Sequence, residues 1–296
     1  MKKQLLLIPV LVLTLLFGLT ACGGDKAKEE TKTDEKQTEQ GKEAENKEGE
    51  KQDAKDGLEP IKVGATPLPH AEILEIVKDD LAAKGYELEI VEFTDYVMPN
   101  MALDEGSIDA NFFQHEPYMD TFAKDHDLKL VNAGGVHVEP MGVYSNKIKS
   151  IEELKDGDKV AIPNDSTNGG RALLLLEKHG LIKLNDEAGL EATEIDITEN
   201  KLNLKFSAID AAQLPRTLDD VTISVINSNY ALEAGFNPVK DSLVMEEKDS
   251  PYVNIITVLE KNAESEKTKA LVEVLQTEKV KKFIEEKYEG SIVPSF

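Results

Sequence analysis

In the stretch PNDSTNGGRALLLLEKHG, Arg171 lies between the pair Gly169-Gly170 and a run of leucines, Leu173 to Leu176. Four consecutive leucines belong in a core, so the guanidinium sits at the edge of apolar packing, where a charge is costly unless an opposite charge meets it. Its partner is either a carboxylate of the protein, such as Asp165, or an anion from outside. An Asn-Gly-Gly turn opening a helix offers backbone N–H groups at the positive end of the helix dipole, and a guanidinium beside them makes a site for a planar carboxylate. Asn168 is the second expected contact, the alternative being an ordinary helix cap.

A cation needs acceptors instead. Asn227 and Asn229 flank Ser228 just after the strand-like TISVIN, and alternation sends both side chains to one side, where their amide oxygens can converge. Plain turn and cap residues are the other reading. Glu139 could supply a counter-charge, or form only a surface salt bridge. In FFQHEPY, Phe113 and His115 alternate and Tyr118 follows a short turn later, a grouping that walls an apolar slot with polar tips. Tyr96, at the start of its own helix, completes that wall. Such aromatic spacing also occurs in plain core.

Other chemistries find less support. The five histidines (70, 115, 126, 137, 179) are scattered along the chain with no pair at i, i+4, so no metal site and no cofactor is expected. Ser166 precedes a helix without a G-x-S-x-G frame, and capping accounts for it, so no hydrolase and no other enzyme is expected. The formal charge is −23, of which −21 belongs to residues 58–296, where 45 acidic residues face 24 basic ones. That field opposes a nucleic-acid partner.

The elements that position these residues begin well inside the chain. Lys2 and Lys3 precede an apolar stretch from Leu5 to about Leu19, the pattern of a signal peptide over residues 1–21. Leu19-Thr20-Ala21-Cys22 resembles the bacterial lipobox, which implies a lipidated Cys22. Cys22 is the only cysteine, so the mature domain holds no disulfide and no thiol nucleophile. Residues 23–57 contain no aliphatic side chain larger than alanine and cannot bury a core. Together with Cys22 they form a charged, disordered tether whose ends lie roughly 30 to 35 Å apart.

From Leu58 on, strands alternate with helices. Strands are expected at 61–64, 87–93, 108–111, 136–144, 159–162, 195–197 with another strand after it, and 222–227, with a further extended segment at 254–260. Helices are expected over 70–85, 95–106, 116–126, 170–179 and 229–235, with a short one in KSIEELKDG, another in AIDAAQLPRTLDD, and two at the end split near Thr277. This is an α/β pattern with mostly parallel sheets, and ligands bind such sheets at the strand C-terminal ends. The residues singled out above crowd those ends.

Six ordered stretches carry a family resemblance: GATPLPHAEIL, DYVMPNMALDEGSIDANFFQHEPYMD, VEPMGVYS, PNDSTNGGRALLLL, LPRTLDD and INSNYALEAG. They resemble the methionine-binding lipoproteins of the NlpA/MetQ family, substrate-binding components of ABC importers, over about 61–296. Leu68, Met98, Ser166 and Ser228 depart from residues common in that family. The resemblance implies a two-lobed α/β fold like that of periplasmic binding proteins of type II, with the ligand cleft between lobes. Lobe I is expected at 58–143 plus 250–296 and lobe II at 144–249. It further implies that Arg171 and Asn168 bind an amino-acid carboxylate, Asn227, Asn229 and Glu139 its ammonium, and Tyr96, Phe113, His115 and Tyr118 a thioether, since sulfur favours ring edges. L-Methionine is the expected ligand, with D-methionine or a Met-containing dipeptide as alternatives. The implied partners are the permease and ATPase of an importer. The chain is expected to be a monomer on the outer face of the cytoplasmic membrane of a Gram-positive bacterium.

Overall fold

The computed structural model describes residues 57–248 and 250–296. The signal segment, Cys22 and the tether lie outside the described residues. No helix among the described residues is long and apolar enough to cross a membrane.

Two sheets organise the chain. The first has the order β13-β4-β12-β3-β1-β2 and is built from β1 (Glu59–Ala65), β2 (Tyr86–Glu92), β3 (Ala110–His115), β4 (Leu130–Val138), β12 (Val253–Leu259) and β13 (Val293–Pro294). The second has the order β11-β5-β10-β6-β9, from β5 (Gly142–Tyr144), β6 (Lys159–Pro163), β9 (Lys205–Ile209), β10 (Ile223–Ile226) and β11 (Val244–Met245). A separate pair, β7 (Lys183–Leu184) and β8 (Ile197–Glu199), is antiparallel. The backbone passes from the first sheet to the second over 139–141 and returns over 246–252, so Gly142 and Val143, expected with the first lobe, pair in the second sheet.

Both sheets are mixed rather than mostly parallel. β1 runs parallel to β2 and β3, but β12 is antiparallel to β3 and β4, and β5 is antiparallel to β10. The reversed strands are those that carry the chain between sheets. Central strands are buried on both faces: every residue of β3 and of β10 is buried. β10, ISVI, is nearly all apolar, as helices covering both sides require, whereas β3, ANFFQH, buries Asn111 and Gln114 in side-chain hydrogen bonds with Asn100.

Those helices supply the two main cores. On the first sheet pack α1 (Glu72–Ile76), α2 (Lys78–Ala82), α8 (Glu266–Leu275) and α9 (Glu278–Tyr288), bringing Ile73, Leu74, Leu81, Leu271 and Ile284 against Ile61, Val63 and Phe112. On the second, α5 (Ser166–Lys178) lays Leu173 and Leu176 on Val160 and Val225. Each such fully buried side chain contributes about 1.5–3 kcal/mol. The helix expected over 70–85 is interrupted at Val77, whose N–H bonds to the Leu74 carbonyl three residues back at 3.2 Å. The short helices expected in KSIEELKDG and AIDAAQLPRTLDD are 3-10 turns, at Ile151–Glu153 and Ala211–Thr217. The split near Thr277 is a helix cap: its side chain accepts from the Val280 N–H at the start of α9.

Candidate ligand site between the two sheets

All nine residues singled out from the sequence line one cavity, together with Gln114, Ser228 and Asn254. The first sheet contributes the end of β3, α3 (Met98–Asp104) with Tyr96 just before it, and α4 (Glu116–His126). The second contributes α5, α6 (Ser228–Glu233) and Asn227, while α7 (Pro238–Asp241) lies away from the cavity.

His115 ends β3 and caps α4. Its Nδ1 accepts from the Tyr118 N–H at 3.2 Å, which leaves the ring hydrogen on Nε2. That Nε2–H donates to Asn168 Oδ1 of α5 at 3.1 Å, joining the two sheets. Burial, and then the Arg171 charge, hold the imidazole neutral, its pKa lowered to about 3. Asn168 Oδ1 also accepts from Asn227 Nδ2 at 2.8 Å, and Asn168 Nδ2 donates to Asp165 at 2.9 Å. Asn168 is therefore a hub that orients its neighbours.

Helix α5 begins four residues earlier than expected, and the reason bears on the site. Asp165 caps it, accepting from the Asn168 N–H at 2.8 Å, while its carbonyl takes the Gly169 N–H at 2.8 Å. Those amides are thus occupied, and the expected bare Asn-Gly-Gly nest is absent. The glycines serve packing: a Cβ on Gly170 would stand 2.2 Å from the Leu190 carbonyl oxygen.

Arg171 finds its carboxylate in Glu246 rather than Asp165. Nε donates to Glu246 Oε1 at 2.8 Å and Nη2 to Oε2 at 2.5 Å, while Nη2 also reaches the Glu139 carbonyl at 2.7 Å. The guanidinium lies 4.1 Å from the centre of the Tyr252 ring. Burial works against its charge, but Glu246 more than offsets this and holds its pKa above the usual value. Nη1 makes no hydrogen bond among the described residues.

The two asparagines after β10 differ from the expected pair of acceptors. Asn227 Oδ1 is buried without a partner, so it offers an acceptor. Asn229 Oδ1 takes the Tyr96 hydroxyl at 2.6 Å, and its buried Nδ2 is the unpartnered atom, so Asn229 offers a donor. The slot's other end is aromatic. Tyr96 lies 5.9 Å from both Phe113 and Tyr118, tilted or edge-on, and the Tyr118 hydroxyl donates to the Tyr96 carbonyl at 2.9 Å.

Glu139, on the crossing segment, is buried rather than on the surface. His70 and His137 both approach its Oε1, at 3.1 and 2.8 Å. Burial raises its carboxyl pKa, against the opposing pull of His70 and Arg171. The histidines that looked scattered in the sequence thus meet in space. Neither Glu246 nor this pair was legible locally, since each partner comes from a distant segment. Gln114 lay between two residues already singled out, but alternation assigned it to the opposite face. Asn254 carried a weak signal, as the polar residue opening the apolar run NIITVLE.

Fold and cavity define a solute-binding protein: two α/β sheets joined by crossing segments, with a polar and aromatic cavity between them. The chain belongs to the NlpA lipoprotein family, whose model matches residues 61–296. It is 47% identical over 245 residues to the D-methionine-binding lipoprotein MetQ of Salmonella typhimurium, covering 82% of this chain and 90% of the relative. Outer membrane lipoprotein 3 of Mannheimia haemolytica is 48% identical over 240 residues, covering 80% and 91%. Among solved structures, a nutrient-binding protein from Burkholderia cenocepacia bound to methionine shares 47% identity at a TM-score of 0.78. That match covers 80% of this chain and all of the neighbour.

Proposed function

We propose that the chain captures methionine, L-methionine first, and hands it to an ABC importer while anchored through a lipid on Cys22 to the outer face of the cytoplasmic membrane. The observation that carries this reading is the pair of opposed, unpartnered atoms in the cavity wall. Asn227 Oδ1 is an acceptor suited to an α-ammonium, and Asn229 Nδ2 a donor suited to an α-carboxylate. Arg171 Nη1 adds a second donor for the carboxylate, Asn168 orients the asparagine and histidine beside it, and Glu139 supplies the negative potential that favours the ammonium. Buried polar groups without partners are costly, and a zwitterion satisfies both at once.

The rest of the ligand meets Tyr96, Phe113, His115 and Tyr118. A thioether gains about 0.3–1.5 kcal/mol per aromatic contact beyond its buried area, which favours methionine over an aliphatic or charged side chain. Recognition without turnover is the expected activity. The first sheet with its helices and the second with its own, the lobe boundary shifted from 143 to about 141 because β5 pairs in the second sheet, close as units around the ligand, with the permease and ATPase of the importer as partners of the closed monomer.

Mass spectrometry of the protein purified with detergent tests these points together. Denaturation should release methionine, and the intact mass should show a chain that starts at a diacylated Cys22. Release of a dipeptide or another amino acid refutes the ligand assignment, and an unmodified chain still carrying residues 1–21 refutes the anchor.

A further inference from the structure

Beside the cavity lies a cluster that amino-acid binding leaves mostly unused. His70 sits in the turn after β1, His137 near the end of β4, and Glu139 just beyond it. They are 1%, 0% and 6% exposed. One donor atom from each lies within 4.8 Å of the others. His70 Nε2 and His137 Nε2 share a single carboxylate oxygen, and Asn254 Oδ1 stands 3.0 Å from His70 Nε2. Three donor groups from two separate segments thus converge on one small volume, and Asn254, from a third, touches one of them.

We propose that His70, His137 and Glu139, completed by the side-chain oxygen of Asn254, bind one divalent transition cation of the zinc class. Two imidazole nitrogens with a carboxylate oxygen are a recurrent zinc set, and a fourth ligand completes a tetrahedron. Hard cations demand six or more oxygens, and a soft ion would want thiolates, which these residues lack. Bonds of about 2.0–2.1 Å to a tetrahedral ion put neighbouring donors roughly 3.3 Å apart. Three of the separations, His137 to Glu139 at 2.8 Å, His70 to Asn254 at 3.0 Å and His70 to Glu139 at 3.1 Å, need to open by only a few tenths of an ångström, and the two histidines lie within 4.8 Å.

Charge and protonation agree. Arg171, the nearest cation, is matched by Glu246 and touches only the carbonyl of Glu139, so the buried Glu139 carboxylate lacks a counter-ion of its own. Coordination through Nε2 shifts the ring hydrogen to Nδ1. In His70 that hydrogen meets Thr66 Oγ1, 2.7 Å away, an outer-shell contact that fixes the ring. In His137 the hydrogen would sit on a buried Nδ1 with no protein acceptor, a cost the metal bond must offset. Glu139 and Asn254 both line the cavity, which gives the ion a route in when the sheets part.

The experiment needs no amino acid and is therefore independent of the proposed ligand. Zinc is titrated into the full, chelator-washed protein labelled with 15N-histidine, while calorimetry counts binding and NMR follows the ring nitrogens. One zinc per chain is expected, with the His70 and His137 nitrogens moving and those of exposed His126 unmoved. His70→Gln and His137→Gln should each weaken binding by more than the ten- to hundredfold typical of outer-shell changes. The proposal fails if no zinc is held, if only His126 or His179 responds, or if both variants bind as the parent does. Should the variants not fold, the ring-nitrogen shifts of the parent decide alone.

Discussion

At Arg171 Nε and Nη2 are held by Glu246, and Nη1 makes no hydrogen bond among the described residues; the proposed function gives it to the ligand carboxylate. Arg171→Ala should therefore act twice. Glu246, 12% exposed at its side chain, would lose its partner, and breaking a buried pair costs about 3–5 kcal/mol of stability, read in urea unfolding. Loss of the carboxylate's donor should also weaken methionine by about 2–5 kcal/mol, roughly thirtyfold to several thousandfold. Adding Glu246→Ala should recover part of the stability and none of the affinity. Recovery of both would make Arg171 purely structural. His115 gives a pH signature. Its folded pKa is about 3 against the ordinary 6.5, so the unfolded chain binds the extra proton. Its stability contribution is complete above pH 6.5 and is lost as pH falls from there through about 3. Unfolding measured across that range should take up about one proton fewer near pH 5 in His115→Gln, and an unchanged slope would contradict the neutral assignment. Most of the nine cavity residues came into view because they lie near a strand end or helix start, where local spacing is informative, whereas Arg171, inside α5, and Glu139, on the crossing segment, stood out as charges beside apolar runs or turns. The sequence could not reveal that Glu246 answers Arg171 or that Tyr96 turns the Asn229 amide, because those contacts span 75 and 133 positions.

Helix α5 shows the same division among elements. Its leucine run announced a buried helix, but the start at Ser166 depends on the Asp165 cap, and Gly169-Gly170 looked like an anion-binding turn. The glycines instead admit the segment 189–192 against the helix. Gly170→Ala would set a Cβ against backbone, 2.2 Å from Leu190 O and 2.8 Å from the Ala192 amide nitrogen, so neither neighbour can yield by a rotamer change. Overpacking of this kind costs about 1–3 kcal/mol. Because Arg171 is the next residue, affinity should fall with stability. A variant as stable as the parent, by thermal or urea unfolding, would refute the packing role. Strand direction was less legible than strand position, since β12 and β5 read as ordinary apolar runs and only their pairing makes the sheets mixed.

Across the whole molecule, the cavity is closed by direct bonds between the sheets. Besides His115 to Asn168 and Tyr96 to Asn229, the Tyr230 hydroxyl donates to the Thr94 carbonyl at 3.3 Å, and Thr121 Oγ1 to Glu191 at 3.1 Å. These few contacts are modest individually, about 0.5–1.5 kcal/mol each, so a ligand touching both sides can govern closure through its own differential affinity. Methionine has nine non-hydrogen atoms, and a ceiling near −1.5 kcal/mol per atom allows ~−13 kcal/mol if nearly all of them are used. Titration calorimetry of L-methionine into protein stripped by unfolding and refolding tests that account most directly. One site per chain with a dissociation constant of about a micromolar or tighter is expected, with leucine and norleucine weaker by about 1–3 kcal/mol because an apolar slot discriminates modestly between similar shapes. Absence of saturable heat from methionine in refolded protein, or tighter binding of leucine, would contradict it.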